Sequence, residues 1–208
     1  MWNAIVADPA MPPPRPCRTS GVGSFPTGTE EADVTTYAAL LRGVNVGGHR
    51  AVPMAQLREA LEAAGFGRPR TYIQSGNAVV DSDLEAPAVA SALKALIADR
   101  FGHTVPVMVR SAAQLAAVLA ADPWPGRDLD PAKVTVTFLS EAAPQTLTVP
   151  AGRREEAHTA GTEVWVHYPD GLGVSTLDRS GFWRPLAGID TTTRNLRTVR
   201  VLRDMAAA

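Results

Sequence analysis

A glycine-rich segment of this 208-residue chain has residue types suited to holding an anion. It reads Arg42-Gly43-Val44-Asn45-Val46-Gly47-Gly48 and lies between an apolar strand pattern and a helix predicted to begin near Pro53. Glycines let backbone N–H groups approach a ligand closely, and a nearby helix N-terminus favours negative charge. We therefore expect Arg42 to neutralise a phosphate or carboxylate, while Gly47 and Gly48 permit its close approach. The alternative is a strand-to-helix connection that needs glycine only for its backbone conformation.

The charge around this segment favours the binding interpretation. Between Val34 and Arg58 the chain has no carboxylate, and it contains Arg42, His49, Arg50 and Arg58. The whole chain has a formal net charge of −1, so bulk charge gives no argument for a nucleic-acid partner. The segment also lacks the Gly-Lys-Ser/Thr ending of a P-loop and the glycine spacing of a dinucleotide fingerprint.

Two further polar segments have side chains that bind anions or the polar edges of ligands. The first is Gln74-Ser75-Gly76-Asn77, and the second is Thr192-Thr193-Arg194-Asn195. The amide side chains of the first segment and of Asn45 would orient a ligand, and Arg194 would neutralise its charge. Each segment also has an ordinary interpretation, because Ser-Gly is common in hairpin turns and a threonine N-cap describes many helix starts.

The sequence predicts neither a catalytic centre nor a metal site. The four histidines have no partner at metal-ligand spacing, and the single cysteine, Cys17, excludes an internal disulfide and a cysteine-built metal site. A Gly-x-Ser-x-Gly nucleophile motif is missing from the sequence. Catalytic residues and cofactors are therefore left unassigned, and any enzymatic activity would act through electrostatic stabilisation.

Apolar periodicity predicts a β-α-β-β-α-β order for the first half of the chain. The predicted strands are 35–42, 71–74, 77–81 and 105–110, and the predicted helices are 53–64 and 86–100. This order is typical of the ferredoxin-like split βαβ unit, in which the third strand lies between the first two. The glycine-rich segment and the Gln74–Asn77 turn should then meet at one edge of the sheet, where both can contact one ligand.

The second half has weaker signals. Ser111 and Gln114 form a capping-box pattern that opens a helix, residues 134–139 are predicted to form a strand, and a hairpin turns near Gly161-Thr162. A helix near 176–187 and a final segment from Thr193 to about residue 205 complete the prediction. No internal repeat of fixed period is visible.

Composition divides the chain into three parts. Residues 1–34 are rich in proline, glycine and serine without periodicity, which predicts a disordered tail or a gene-model extension. Residues 35–110 are predicted to form the ferredoxin-like domain and residues 111–208 a second, smaller α+β lobe packed on it, so the fold class is α+β. No apolar run is long enough to span a membrane and no signal-peptide pattern is present, which, with the single cysteine, favours a cytoplasmic protein.

Four blocks of this sequence resemble an uncharacterised bacterial family, domain of unknown function 1697. The blocks are Leu40–Gly48, Thr71–Asn77, His167–Gly173 and Thr192–Asn195, and the resemblance covers about residues 35–205. It implies a cytoplasmic α+β protein with a ferredoxin-like portion, and it implies no established activity. Its third block adds Tyr168 to the candidate site residues.

Two positions depart from the pattern of the family that the chain resembles. Thr176 stands where members usually carry lysine, and Leu196 stands where they usually carry tryptophan. If the lysine contributed positive charge to a shared site, this chain lacks that charge.

The leading hypothesis is a protein that binds a small anionic ligand, phosphorylated or nucleotide-like. The candidate ligand-binding residues are Arg42, Asn45, Gly47, Gly48, Gln74, Ser75, Asn77, Tyr168, Thr193, Arg194 and Asn195. Substrate, reaction and oligomeric state are left unassigned, and no membrane partner is expected.

Two alternatives stay open. An RNA-binding module would use the arginines that recur every three residues from Arg194 to Arg203. Against it, the first and third predicted strands carry Tyr37 as their one aromatic residue, whereas RNA-binding sheets stack bases on central aromatics. A protein–protein adaptor would use the aromatic residues Trp124, Trp165, Phe182 and Trp183.

Overall fold

The first half of the chain forms a four-stranded antiparallel sheet. In the computed structural model, which describes residues 34–47 and 50–208, its elements are β1 (Thr35–Leu41), α1 (Met54–Ala63), β2 (Gly67–Thr71), β3 (Asn77–Ser82), α2 (Ala86–Phe101), β4 (Val107–Ser111) and α3 (Ala112–Ala120). The strand order is β2-β3-β1-β4. This order is consistent with the predicted ferredoxin-like unit, and it places β4, which follows Pro106, at the sheet edge where a neighbouring proline is tolerated.

The second half forms another four-stranded antiparallel sheet. Its elements are β5 (Val134–Leu139), β6 (Glu156–Ala160), β7 (Glu163–His167), β8 (Thr191–Asn195) and α4 (Leu196–Ala207), with short 3-10 helices at Leu172–Val174, Leu177–Ser180 and Arg184–Leu186. The strand order is β6-β7-β5-β8. The fold is therefore α+β, as predicted. The division into domains at residues 110 and 111 stays a prediction, and the predicted tail lies outside the described residues except for Val34.

The second sheet repeats the strand order and the pairing register of the first. In the first sheet Leu40 pairs with Asn77, the first residue of β3. In the second sheet Phe138 pairs with Glu163, the first residue of β7. β1 and β5 each end one residue after the paired position. The chain therefore contains a repeat of topology that no fixed sequence period reveals.

One hydrophobic cluster joins the two sheets. It combines Ala38 and Leu40 of β1 with Val136 and Phe138 of β5 and with apolar side chains of α3 and α4. The opposite face of the first sheet packs against α1 and α2. Both faces of the first sheet are thus covered, because successive strand residues point to opposite faces and each face has its own apolar partners.

Local signals explain most of these elements. α2 buries Val89, Leu93 and Ile97, which recur every four residues and therefore form one helix face. The capping box between Ser111 and Gln114 is present at the start of α3. The predicted hairpin is also present, formed by β6 and β7.

Three predicted elements were wrong in place or type. The strand predicted at 71–74 is β2, which ends at Thr71, and the region 176–187 holds two short 3-10 helices instead of one helix. The predicted helix start at Thr192–Asn195 is strand β8, and the N-cap of α4 is Asn195, whose side chain accepts from Thr198 N–H. Consecutive threonines favour strands because their branched side chains fit a pleated surface, and asparagine is the better N-cap.

A buried carboxylate ties β2 and β3 to β1. Asp81 accepts hydrogen bonds from the Arg68 guanidinium and, at 2.8 Å, from Thr36 Oγ1. Burial raises the pKa of Asp81, but the hydrogen bonds from Arg68 and Thr36 outweigh it and hold the pKa below the usual aspartate value. The folded protein therefore binds this proton less readily than the unfolded chain does.

We expect Asp81→Asn to lower the free energy of unfolding at neutral pH by about 1 kcal/mol, since charge-assisted hydrogen bonds are lost. A carboxylate with a depressed pKa stabilises the folded protein fully when the pH is above its pKa in the unfolded chain, which is about 3.9. This stabilisation is lost as the pH falls toward the pKa in the folded protein. The variant should therefore lose less stability than the wild type between pH 5 and 3, as measured by urea unfolding at each pH. Asp83→Asn, at an exposed position, should keep neutral-pH stability, and equal pH slopes for wild type and Asp81→Asn would contradict the assignment.

Candidate functional site

The glycine-rich segment and the turn before β3 meet at one edge of the first sheet, as the strand order predicted. Leu41 N–H donates to Gly76 O at 2.8 Å, and Asn45 Nδ2 donates to Gln74 O at 2.8 Å. Just before β4, Pro106 O accepts from Arg42 N–H at 3.0 Å. These bonds hold both segments against the end of β1.

Asn45 stabilises the glycine-rich segment itself. Its Nδ2 also donates to Val52 O at 2.9 Å, and its Oδ1 accepts from Val52 N–H at 2.8 Å. Its φ is +56°, a left-handed conformation that asparagine tolerates better than most residues do. Both amide hydrogens are used within the chain, so this side chain fixes the segment instead of pointing to a ligand.

Arg194 of β8 lies buried against the same edge. Its Nε donates to Asn77 Oδ1 at 2.6 Å, and its Nη2 donates to Leu41 O at 2.8 Å, Gly76 O at 3.0 Å and Ser75 O at 3.1 Å. Only 7% of Arg194 is exposed, and Asn77 is fully buried. The second and third predicted segments are therefore in direct contact.

The charge of Arg194 is held by neutral oxygens. Its Nη1 donates to Thr192 Oγ1 at 2.8 Å and to Thr193 O at 2.9 Å, so every hydrogen-bond partner is a carbonyl, an amide or a hydroxyl. Burial lowers the pKa of Arg194 to about 10, and the guanidinium stays protonated at neutral pH. Among the described residues, no carboxylate forms an ion pair with it.

Arg110 occupies the equivalent position of the first sheet, but its charge is paired with a carboxylate. Each arginine is the penultimate residue of its last strand, and each reaches the end of the first strand of the other sheet. Arg110 Nη2 donates to Leu139 O at 3.1 Å, as Arg194 does to Leu41 O. Arg110 also forms an ion pair with Glu163 at 3.1 Å, at the position that Asn77 occupies for Arg194. Of these two reciprocal arginines, only Arg110 is neutralised by a carboxylate.

A cavity of about 340 Å³ opens beside Arg194, and we call it the Arg42 cavity. Its lining residues are Arg42, Gly43, Val44, Val46, Ser75, Thr191, Thr192, Thr193 and Arg194. Arg42 is exposed, and in the described part of the chain its side chain forms no ion pair. The described lining therefore holds two guanidinium groups and several hydroxyls without a carboxylate.

A second cavity of about 560 Å³ shares Arg42, Thr191 and Thr193 with the first, and we call it the Trp183 cavity. Its other lining residues include Tyr168, Leu172, Asp178, Trp183, Leu186, Ile189 and Asp190. Trp183 Nε1 donates to Asp178 Oδ1 at 2.7 Å, which fixes the indole ring. Burial raises the pKa of the Tyr168 hydroxyl, so it stays protonated.

A family model described as "Protein of unknown function (DUF1697)" matches residues 34–165. The chain belongs to this family. A solved structure of a conserved bacterial protein, SP0830 from Streptococcus pneumoniae, is similar at 25% identity, covers 83% of this chain and 99% of that one, and gives a TM-score of 0.65. A search of curated proteins found no match. Among the described residues, no helix is both long and apolar enough to cross a membrane.

The structure brings together some of the predicted site residues and separates others. Arg42, Ser75, Thr193 and Arg194 line the Arg42 cavity, and Tyr168 lines the adjoining Trp183 cavity. The remaining described candidates, Asn45, Gly47, Gln74, Asn77 and Asn195, line neither cavity. Gly48 lies outside the described residues.

The two departures from the DUF1697 pattern lie away from the Arg42 cavity. Thr176 lines a separate cavity of about 170 Å³, where its Oγ1 accepts from Arg153 Nη1 at 3.1 Å. Leu196 is buried in the cluster between the sheets. A lysine at position 176 would therefore not supply charge to the Arg42 cavity directly.

Sequence reasoning missed Thr191, Asp178 and Asp190, which line the Trp183 cavity. Thr191 and Asp190 directly precede the predicted block at Thr192, so extending that block would have found them. The sequence suggests Trp183 only as a contact residue of the adaptor alternative, because a single tryptophan carries no spacing signal.

Proposed function

We propose that this protein binds a small phosphorylated ligand in the Arg42 cavity. The observation that carries the proposal is the contrast between the two reciprocal arginines. Arg110 is neutralised by Glu163, whereas Arg194 has the neutral amide of Asn77 at the equivalent place. A buried charge without a counter-ion is costly. An anion that enters the cavity would therefore be attracted by Arg194, which has no carboxylate partner among the described residues.

The other lining groups favour a phosphoryl group. Arg42 is exposed, and a guanidinium can form two parallel hydrogen bonds to phosphate oxygens. Ser75 and Thr191 add hydroxyl donors to the lining. Arg194 uses its N–H groups within the fold, so it acts through its charge, and Arg42 supplies the direct contact.

The proposed activity is ligand binding, and we propose no reaction of the bound ligand. The described lining of the Arg42 cavity contains no histidine, cysteine or carboxylate to act as base or nucleophile. If the bound ligand reacts, the two guanidinium groups would stabilise negative charge that develops on it. A cytoplasmic location belongs to the same proposal and is supported by the single cysteine of the chain.

The RNA-binding alternative has weaker support. Arg194 lies on β8 and is buried, so the arginine stripe on α4 reduces to Arg197, Arg200 and Arg203. Arg203 is paired with Asp204 at 2.6 Å. Tyr37 is buried, and both faces of the first sheet are covered, which removes the platform on which RNA bases usually stack.

We expect wild-type protein to bind inorganic phosphate and ribose 5-phosphate, and Arg42→Ala to weaken that binding by about tenfold or more, since a charge-assisted contact is lost. The measurement is isothermal titration calorimetry, with circular dichroism to check that the variant is folded. Arg58→Ala removes the same charge from an exposed position on α1 and should leave affinity unchanged.

A second variant tests the unneutralised charge itself. Asn77→Asp places a carboxylate where Glu163 stands relative to Arg110, so it should weaken phosphate binding while the protein remains folded. The proposal is contradicted if wild type binds neither phosphate probe, or if Arg42→Ala and Arg58→Ala bind equally well. Tighter binding of mixed RNA than of either probe, lost in Arg197→Ala, would support the RNA alternative instead.

A further inference from the structure

The Arg42 cavity and the Trp183 cavity adjoin, and we call the two together the groove. They share Arg42, Thr191 and Thr193, so a ligand held at Arg42 in the first cavity extends into the second. The Trp183 cavity, at about 560 Å³, is large enough for a sizeable organic group. A free phosphate ion would leave this space unfilled.

The two cavities differ in their charged lining residues. The Arg42 cavity is lined by the guanidinium groups of Arg42 and Arg194, whereas the lining of the Trp183 cavity combines Arg42 with the carboxylates of Asp178 and Asp190. A ligand with anionic groups at both ends would be repelled by these carboxylates. The groove therefore suits a molecule that is anionic at one end and carries N–H donors at the other.

The lining of the Trp183 cavity also includes an aromatic side chain that is held in place. The Trp183 ring is held at its edge by the hydrogen bond from Nε1 to Asp178 and is supported by Phe182, whose ring packs edge-on at 4.7 Å between centroids. Phe182 is buried, so the support is rigid. Leu172, Leu186 and Ile189 add apolar surface around the indole. A planar group entering this space is matched in shape and polarity by an aromatic platform.

We propose that the ligand is a nucleoside monophosphate, bound with its phosphate at Arg42 and its base against Trp183. A nucleotide joins an anion to a planar base with N–H donors, and it matches both ends of the groove. The sugar would lie at the shared residues Thr191 and Thr193. This inference rests on the proposed function, because it assigns the phosphate to the same Arg42 cavity.

The test compares adenosine 5′-monophosphate with ribose 5-phosphate, which has the same phosphate and sugar without a base. Wild type should bind the nucleotide about tenfold or more tightly than the sugar phosphate, since base stacking on an aromatic side chain adds that much. Trp183→Leu should reduce nucleotide affinity to that of ribose 5-phosphate and leave the sugar phosphate unaffected. Trp124→Leu, which changes a half-buried tryptophan next to His167, should leave both affinities unchanged.

The outcomes separate this inference from the proposed function. If neither ligand binds, the proposed function fails, and the inference fails with it. If both ligands bind equally well and Arg42→Ala weakens both, phosphate binding stands and the nucleotide assignment is overturned. Equal nucleotide affinity in folded Trp183→Leu and wild type also overturns it, because the base would then lie elsewhere.

Discussion

Replacing Arg194 with methionine should lower the free energy of unfolding by about 4 kcal/mol, the largest effect we expect from any single change. Methionine fills much of the volume but donates no hydrogen bond. Asn77 Oδ1 and the carbonyls of Leu41, Ser75 and Gly76 would each lose a donor at a buried edge. Gly76 O keeps the hydrogen bond from Leu41 N–H. Removing a desolvated charge offsets part of this cost, but the acceptors left without a donor, at about 1–3 kcal/mol each, outweigh that relief.

Urea unfolding of wild type and variant measures this effect directly. Arg197→Met, an exposed arginine three positions along the chain, should change stability by no more than about 0.5 kcal/mol. Wild type should also gain stability in saturating phosphate, while Arg194→Met should gain much less, because the ligand stabilises the state that it binds. A loss below about 1 kcal/mol for Arg194→Met would show that its hydrogen bonds do not hold the two sheets together.

Replacing Gly76 with alanine should cost about 3 kcal/mol, the second largest effect. Its φ is +79°, a left-handed conformation that disfavours any side chain. A Cβ at this position would overlap Val44 Cγ2 and lie 2.9 Å from Leu41 Cβ. Because Val44 lines the Arg42 cavity, the overlap should also displace the glycine-rich segment and weaken phosphate binding.

Gly126 provides the matched control. Its φ is also +79°, but a Cβ there would have nothing within 4 Å. Gly126→Ala should therefore cost only the conformational part, about 1 kcal/mol, and leave phosphate affinity unchanged. Thermal and urea unfolding of the two variants separate the overlap at Gly76 from the backbone conformation. Equal losses in both variants would mean that the edge accommodates a Cβ by moving, contrary to our expectation.

Local patterns in the sequence determined most of the elements that surround the site. Alternating and helical periodicities predicted β1, α1, β3, α2 and β5 to within a few residues, because each depends on which neighbouring side chains share a face. The order of the first strands also predicted that the glycine-rich segment and the Gln74–Asn77 turn would meet. The prediction is wrong where two local preferences compete, as at the threonines of β8, because threonine is also common at helix starts.

Only the tertiary structure decided what the arginines do. Arg194, Arg197 and Arg200 have the same spacing and the same type, yet one is buried in a strand and the others are exposed on α4. Buried Arg194 donates to Asn77, 117 residues earlier, and no local pattern encodes a contact over that distance. That Arg194 lacks a carboxylate partner among the described residues is recognised by comparing it with Arg110, which pairs with Glu163. The comparison is possible because the two sheets have the same pairing register. Side-chain periodicity is a property of neighbours along the chain, whereas the charge balance of a buried site depends on which distant segments fold against one another.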